Sequence, residues 1–198
     1  MINEDHGKHN NIMKKVLLIV TAMCYSLFSC NSFAQKPAID DEPVSEIDLH
    51  SYLGTWYEIA RFDHSFEKDM EYTQAHYSLA PNGKVRVVNS GYRYGKFKQA
   101  TGKAIRPDAR KAPGRLRVSF FWPFYSDYRI LMVGPDYKYA LVSSKGPDYL
   151  WILSRDPNLP DDVLHEIINE ANIRGFDTTR LTWVVQPTEP PSELDLDF

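Results

Sequence analysis

The chain has 198 residues, 43% hydrophobic and 25% charged, which suits one soluble globular domain over most of its length. Its net charge of −3 gives no electrostatic reason to expect nucleic acid as a partner. The only cysteines are Cys24 and Cys30, so the chain beyond residue 30 has no disulfide, thiolate metal site or thiol nucleophile.

Residues 1–12 are polar and without pattern, and Met13-Lys14-Lys15 is the better functional start. The lysine pair precedes an apolar run, Val16–Phe28, too short for a comfortable membrane span and followed by small residues. That order describes a bacterial secretory signal better than a transmembrane helix. Two processing sites compete within the signal segment, residues 1–34. Leu27-Phe28-Ser29-Cys30 resembles a lipobox, which would make Cys30 the lipidated first residue of the mature chain. Ser32-Phe33-Ala34 instead suits ordinary signal peptidase and would release a soluble periplasmic or secreted protein. Residues 35–47, with Pro37, Pro43 and the acidic Asp40-Asp41-Glu42 run, read as a flexible tether.

From Gly54 onward, short β-type runs alternate with turn residues. The first is Gly54–Asp63; Tyr72–Leu79 follows and ends at Ala80-Pro81-Asn82-Gly83, strong hairpin chemistry. Then come 84–94, 97–106 and 115–121, and Trp122-Pro123-Phe124-Tyr125 is read as a loop because proline sits poorly in a central strand. Runs 128–133, 139–143 and 149–154 complete eight. Eight antiparallel strands with short connections predict an all-β, up-and-down barrel, whose closure removes both sheet edges. A barrel of eight can hold one small ligand. One helix is predicted after it, opened by Pro160-Asp161, with Leu164, Ile167, Ile168 and Ala171 as its apolar stripe and Gly175 at its end. This C-terminal helix packs outside the barrel. Leu181–Val185 reads as one more strand, and residues 187–198 as a disordered acidic tail.

Three ordered motifs carry a family resemblance. Gly54-Thr55-Trp56-Tyr57-Glu58-Ile59-Ala60-Arg61-Phe62 resembles the opening signature of the lipocalins. Asp136-Tyr137, at the turn between the sixth and seventh strands, is similar to the second, and Arg155, just past the eighth strand, to the third. Val118-Ser119-Phe120-Phe121 and Asp148–Arg155 resemble the bacterial outer-membrane group related to apolipoprotein D. The resemblance spans residues 48–186 and implies a lipocalin calyx. It also favours lipidation at Cys30 and an outer-membrane lipoprotein. Gly54, Trp56, Asp136, Tyr137 and Arg155 then become structural signatures, with Arg155 lying across Trp56 at the closed end.

Alternation sets the inward faces. Trp56, Glu58 and Ala60 point in from the first strand, with Tyr57, Ile59 and Arg61 on the other face. The second strand contributes Thr73, Ala75 and Tyr77; the third Val85, Val87 and Asn89; the fifth Leu116, Val118 and Phe120. For the sixth, Arg129, Leu131 and Val133 point in, or Tyr128 and Ile130 do. An inward Arg129 could pair with a fatty-acid carboxylate or lysophospholipid phosphate. The mostly apolar lining fits a fatty acid (palmitate, for example) or a lysophospholipid, stored or carried in the bacterial envelope without turnover. The candidate ligand residues are Glu58, Ala60, Tyr77, Val87, Asn89, Val118, Phe120, Arg129 and Leu131. No residue is read as catalytic, and no metal or cofactor fingerprint occurs. The oligomeric state is open, a homodimer included. Two other readings stand beside the leading one: an isomerase or esterase built on Glu58 and the tyrosines, and an envelope interaction scaffold without a ligand.

Overall fold

The computed structural model describes residues 38–187. The signal segment, Cys30 and the tail from residue 188 lie outside the described residues. A four-residue helix α1 (Leu49–Tyr52) is capped by Asp48, whose carboxylate accepts from the His50 and Ser51 amides. It leads into β1 (Gly54–Phe62), β2 (Met70–Leu79), β3 (Val85–Arg93), β4 (Lys96–Ile105) and β5 (Arg115–Phe121). Then follow β6 (Phe124–Val133), β7 (Tyr139–Ser143), β8 (Leu150–Ser154), helix α2 (Asp161–Ile173) and β9 (Leu181–Trp183).

From β1 to β8 each strand pairs antiparallel with the next, and β1 also pairs with β8, so eight strands close on themselves. The ninth strand adds to β1 over Ala60–Phe62. β6 starts at Phe124 rather than at Tyr128, because Phe124 pairs with Phe121 and leaves only Trp122-Pro123 as the turn. Proline is tolerated there because a turn residue donates no ladder hydrogen bond. The start of β1 and the end of β8 define one end of the barrel, under α1. The opposite end carries the connections 63–69, 94–95, 122–123 and 144–149.

The barrel has two apolar cores. The inner one includes Trp56, Tyr77, Val85, Val87, Leu116, Ile130 and Val142. The outer one lies between the wall and α2, where Ile167 and Ala171 pack on Ile59, Leu131, Leu141 and Ile152. Leu164 and Ile168 pack at its margin, so the expected stripe is the buried face of α2.

Residues 38–47 form no free tether in this structure. Asp40 donates its amide to the Arg174 carbonyl, Asp41 accepts from the Gly146 amide and from Arg129, and Val44 donates to the Ile130 carbonyl. Ile39 packs into the outer core. Backbone hydrogen bonds and one apolar contact offset the entropy of ordering this acidic stretch.

Candidate functional site

The closed end is built from backbone carbonyls around one cation. Gly54 takes φ 97°, and a Cβ there would stand 3.2 Å from Arg155 Nη1. This lets the Arg155 head lie 3.8 Å over the Trp56 ring. Its three nitrogens donate to the carbonyls of Ser51, Tyr52, Leu53, Thr55 and Tyr137. Trp56 Nε1 donates to the Tyr52 carbonyl, and the Asp48 amide donates to the Tyr137 hydroxyl. Asp136 and Tyr137 both adopt positive φ, which turns this hydroxyl and carbonyl toward the floor. Beside Trp56, Tyr52 and Tyr128 share a hydrogen bond of 2.7 Å, and Tyr77 donates to Tyr128. Burial holds these phenols neutral: it pushes Tyr77 up to about 12 and the other two well above their ordinary value.

Around these phenols the lining is apolar: Val87 is opposite Tyr77, Leu116 opposite Tyr128, and Val85, Ala104 and Ile130 are buried with them, while Val118 is half-buried. Ala104, Gly102, Ala100 and Lys98 share the inward face of β4, where Gly102 is opposite Val87 and Ala100 opposite Asn89. From Lys96 to Thr101 both faces of β4 are exposed, so solvent reaches inward positions above the dry floor. β4 and β5 pair only between 103–105 and 117–119. Gly102 is a close approach: a Cβ there would lie 2.7 Å from the Ser119 carbonyl and 2.8 Å from the Phe120 ring. The Asn89 Oδ1 is buried and has no protein partner.

Nearer the mouth, a polar knot replaces the apolar lining. Arg61 is 2% exposed and donates from Nη1 to Glu58 Oε1 at 2.7 Å, and from Nη2 to the Glu67 carbonyl. Trp151 Nε1 donates to Glu67 Oε2. Arg61 Nε also donates to Asp63 Oδ1 at 3.3 Å, so the carboxylates of Glu58 and Asp63 share one buried guanidinium. Burial raises the Glu58 carboxyl, partly offset by Arg61. Burial, with the charge of Glu58 adding, pushes Glu67 up to about 8, so at neutral pH it is mostly a neutral acid.

Of the residues expected to line the site, Glu58, Tyr77, Val87, Asn89 and Val118 face the interior, and Phe120 sits half-exposed at its rim against Gly102. Ala60, Leu131 and Arg129 do not, and their expected inward placing is corrected. A bulge between Glu58 and Ala60 adds one residue to β1, which turns Ala60 to the α2 side and brings Arg61 inward. Leu131 is outward by plain alternation from Ile130, and a second bulge between Ile130 and Met132 keeps Met132 outward as well and returns Val133 to the inner core. Tyr128 and Ile130 are the inward pair of β6, and Arg129 lies on the outer wall, paired with Asp127 and Asp41. Arg61, Glu67, Trp151 and Tyr128 belong to the interior without having been among the expected ligand residues. Strict alternation places Glu58 and Arg61 on opposite faces, so no signal in the chain pointed to that pair.

The chain matches a family model described as Lipocalin-like domain over residues 47–186. It is 45% identical over 173 residues to Outer membrane lipoprotein Blc of Escherichia coli strain K12, covering 86% of this chain and 96% of that protein. It is 40% identical over 144 residues to apolipoprotein D of Bos taurus, covering 66% of this chain and 75% of that one. Among solved structures, insecticyanin from the tobacco hornworm superposes with a TM-score of 0.64 at 23% identity, covering 75% of this chain and 86% of that one, a likeness of fold alone.

Proposed function

The chain belongs to the lipocalin family, and on that premise we propose that it is an outer-membrane lipoprotein that holds one acyl lipid in its barrel without turning it over. The observation that carries this reading is the two-level interior. A dry lower level of aromatic and aliphatic side chains fills the closed half, and above it the inward face of β4 stays open to solvent. A fatty acid or a lysophospholipid has the matching form, a long apolar chain with one polar end. Each buried methylene contributes about 0.8 kcal/mol, so a chain of a dozen carbons outweighs the cost of ordering it. The head group then meets Asn89 and the Glu58–Arg61–Glu67 knot near the mouth.

Cys30 supplies the anchor in this reading, and the similarity to a protein named an outer-membrane lipoprotein supports the location. More than one acyl chain on Cys30 gives stable attachment where a single chain does not. The test is a titration of delipidated protein with palmitate and with lysophosphatidylethanolamine, followed by tryptophan fluorescence. Saturable one-to-one uptake is expected, weakened tenfold or more by Val118→Arg at unchanged fold. No uptake of any acyl ligand, or hydrolysis of the lysophospholipid, overturns the reading.

A further inference from the structure

The open end of the barrel is ringed by aromatic side chains that pack against little. Phe121 is 75% exposed, Trp122 72% and Tyr94 79%, and Phe66 and Phe124 are also exposed. They come from the connections 63–69, 94–95 and 122–123 and the strand ends flanking the last, which meet only because the barrel gathers them at one end. At the closed end, Leu79 is the only exposed large apolar side chain among the described residues. Single exposed apolar residues are ordinary on a protein surface, whereas a contiguous patch marks a contact.

Charge points to the nature of that contact. No acidic residue occurs between Lys84 and Pro107, and the β3–β4 hairpin brings Arg93, Lys96 and Lys98 to the same rim. Of the acids in the 63–69 connection, Asp63 is paired with Arg61 and Asp69 accepts from the Tyr94 hydroxyl. Aromatic rings beside cations suit the boundary between acyl chains and anionic head groups, where each ring has an apolar body and a wet edge.

The path of the chain agrees. Asp41 reaches Gly146 in the β7–β8 turn at the open end, and the segment then runs down the wall to α1 at the floor. Cys30 precedes Ala38 by eight residues, which span at most about 29 Å. To set the floor on the membrane, that short stretch would have to double back along strands about 30 Å long.

We infer that the open rim, through Phe121, Trp122 and Phe124 with the basic β3–β4 turn, docks on the anionic lipid surface of the membrane that holds the anchor, so that the barrel mouth faces the bilayer. The inference shares the envelope location of the proposed function but is independent of what the lumen holds.

The test uses the mature unlipidated chain, residues 35–198, and vesicles of phosphatidylethanolamine with phosphatidylglycerol. Wild type is expected to sediment with these vesicles, several-fold less with pure phosphatidylcholine. The Phe121→Ser, Trp122→Ser, Phe124→Ser triple variant is expected to lose tenfold or more, and Leu79→Ser nothing. Brominated acyl chains are expected to quench wild-type tryptophan emission, and Trp122→Phe to abolish most of that quenching. Acyl-ligand titration of the triple variant checks its fold and separates the two readings, because retained ligand uptake with lost vesicle binding touches the rim alone. Failure of the wild type to bind vesicles overturns the inference. So do equal losses in the triple variant and Leu79→Ser, or self-association through the rim in sedimentation without vesicle binding.

Discussion

Arg155 at the floor and Arg61 near the mouth are both cations sunk in the barrel wall, yet their partners differ in kind. Arg155 donates to five backbone carbonyls and stacks on Trp56. None of those acceptors titrates, and all are fixed by the chain's own path. Arg61 is shared between Glu58 and the connection that bears Glu67, acceptors that gain or lose protons or lie on a segment between strands. A floor held by carbonyls stays the same across pH and ligand state. A mouth held by carboxylates is adjustable, which suits the end through which a ligand passes.

The largest expected effect comes from breaking the floor. Trp56→Ala removes a fully buried indole and the surface under Arg155, and is expected to cost about 3–5 kcal/mol, roughly 10 °C in melting temperature. Acyl-ligand affinity per folded molecule should not change, because the head group is bound at the other end. A Trp56→Ala protein that melts like wild type removes the floor from the account of stability.

Next is the mouth. Arg61→Met leaves Glu58 buried without its cation and is expected to cost about 3 kcal/mol in chemical denaturation. Adding Glu58→Gln should recover most of that loss, since a neutral pair no longer carries an uncompensated charge. If the double variant is as unstable as the single, the two residues are not coupled.

The Glu67 carboxyl sharpens the contrast through pH. It titrates near 4.3 unfolded and at about 8 in the fold, so between those values the folded chain holds the extra proton. Stability from this group is therefore complete below pH 4 and lost as pH rises toward 8. Glu67→Gln should flatten that slope and stabilise the protein at pH 8 by about 1–2 kcal/mol, allowing for solvent screening of a group that is not fully buried. Denaturation midpoints at pH 5 and pH 8 for both proteins decide it.

The smallest effect is expected on the outer wall. Arg129→Ala leaves Asp41 without its cation and Asp127 with Arg115 alone, and should cost about 1 kcal/mol, with lipid affinity unchanged. A tenfold loss of affinity in this variant would return Arg129 to the ligand site.

The closed end was legible because its parts are local motifs. Gly54 and Trp56 are two residues apart, Asp136 and Tyr137 adjacent, and Arg155 directly follows β8. The polar knot was not legible. Glu58 and Arg61 meet only across a bulge, and Glu67 reaches Trp151 from a connection 84 residues away.

By itself the sequence determined the eight-stranded count, the closing floor and the apolar stripe of α2. The strand count and the stripe rest on turn chemistry and periodicity, which act over a few residues. The floor was implied by the resemblance of three short motifs to the lipocalin signatures. Tertiary structure decided which side of β1 and β6 faces the lumen. Both strands are covered by α2 outside and by the core inside, so both of their faces are apolar and alternation loses its meaning. One extra residue in each then reverses every side chain beyond it, moving Arg61 and Val133 in and Met132 out.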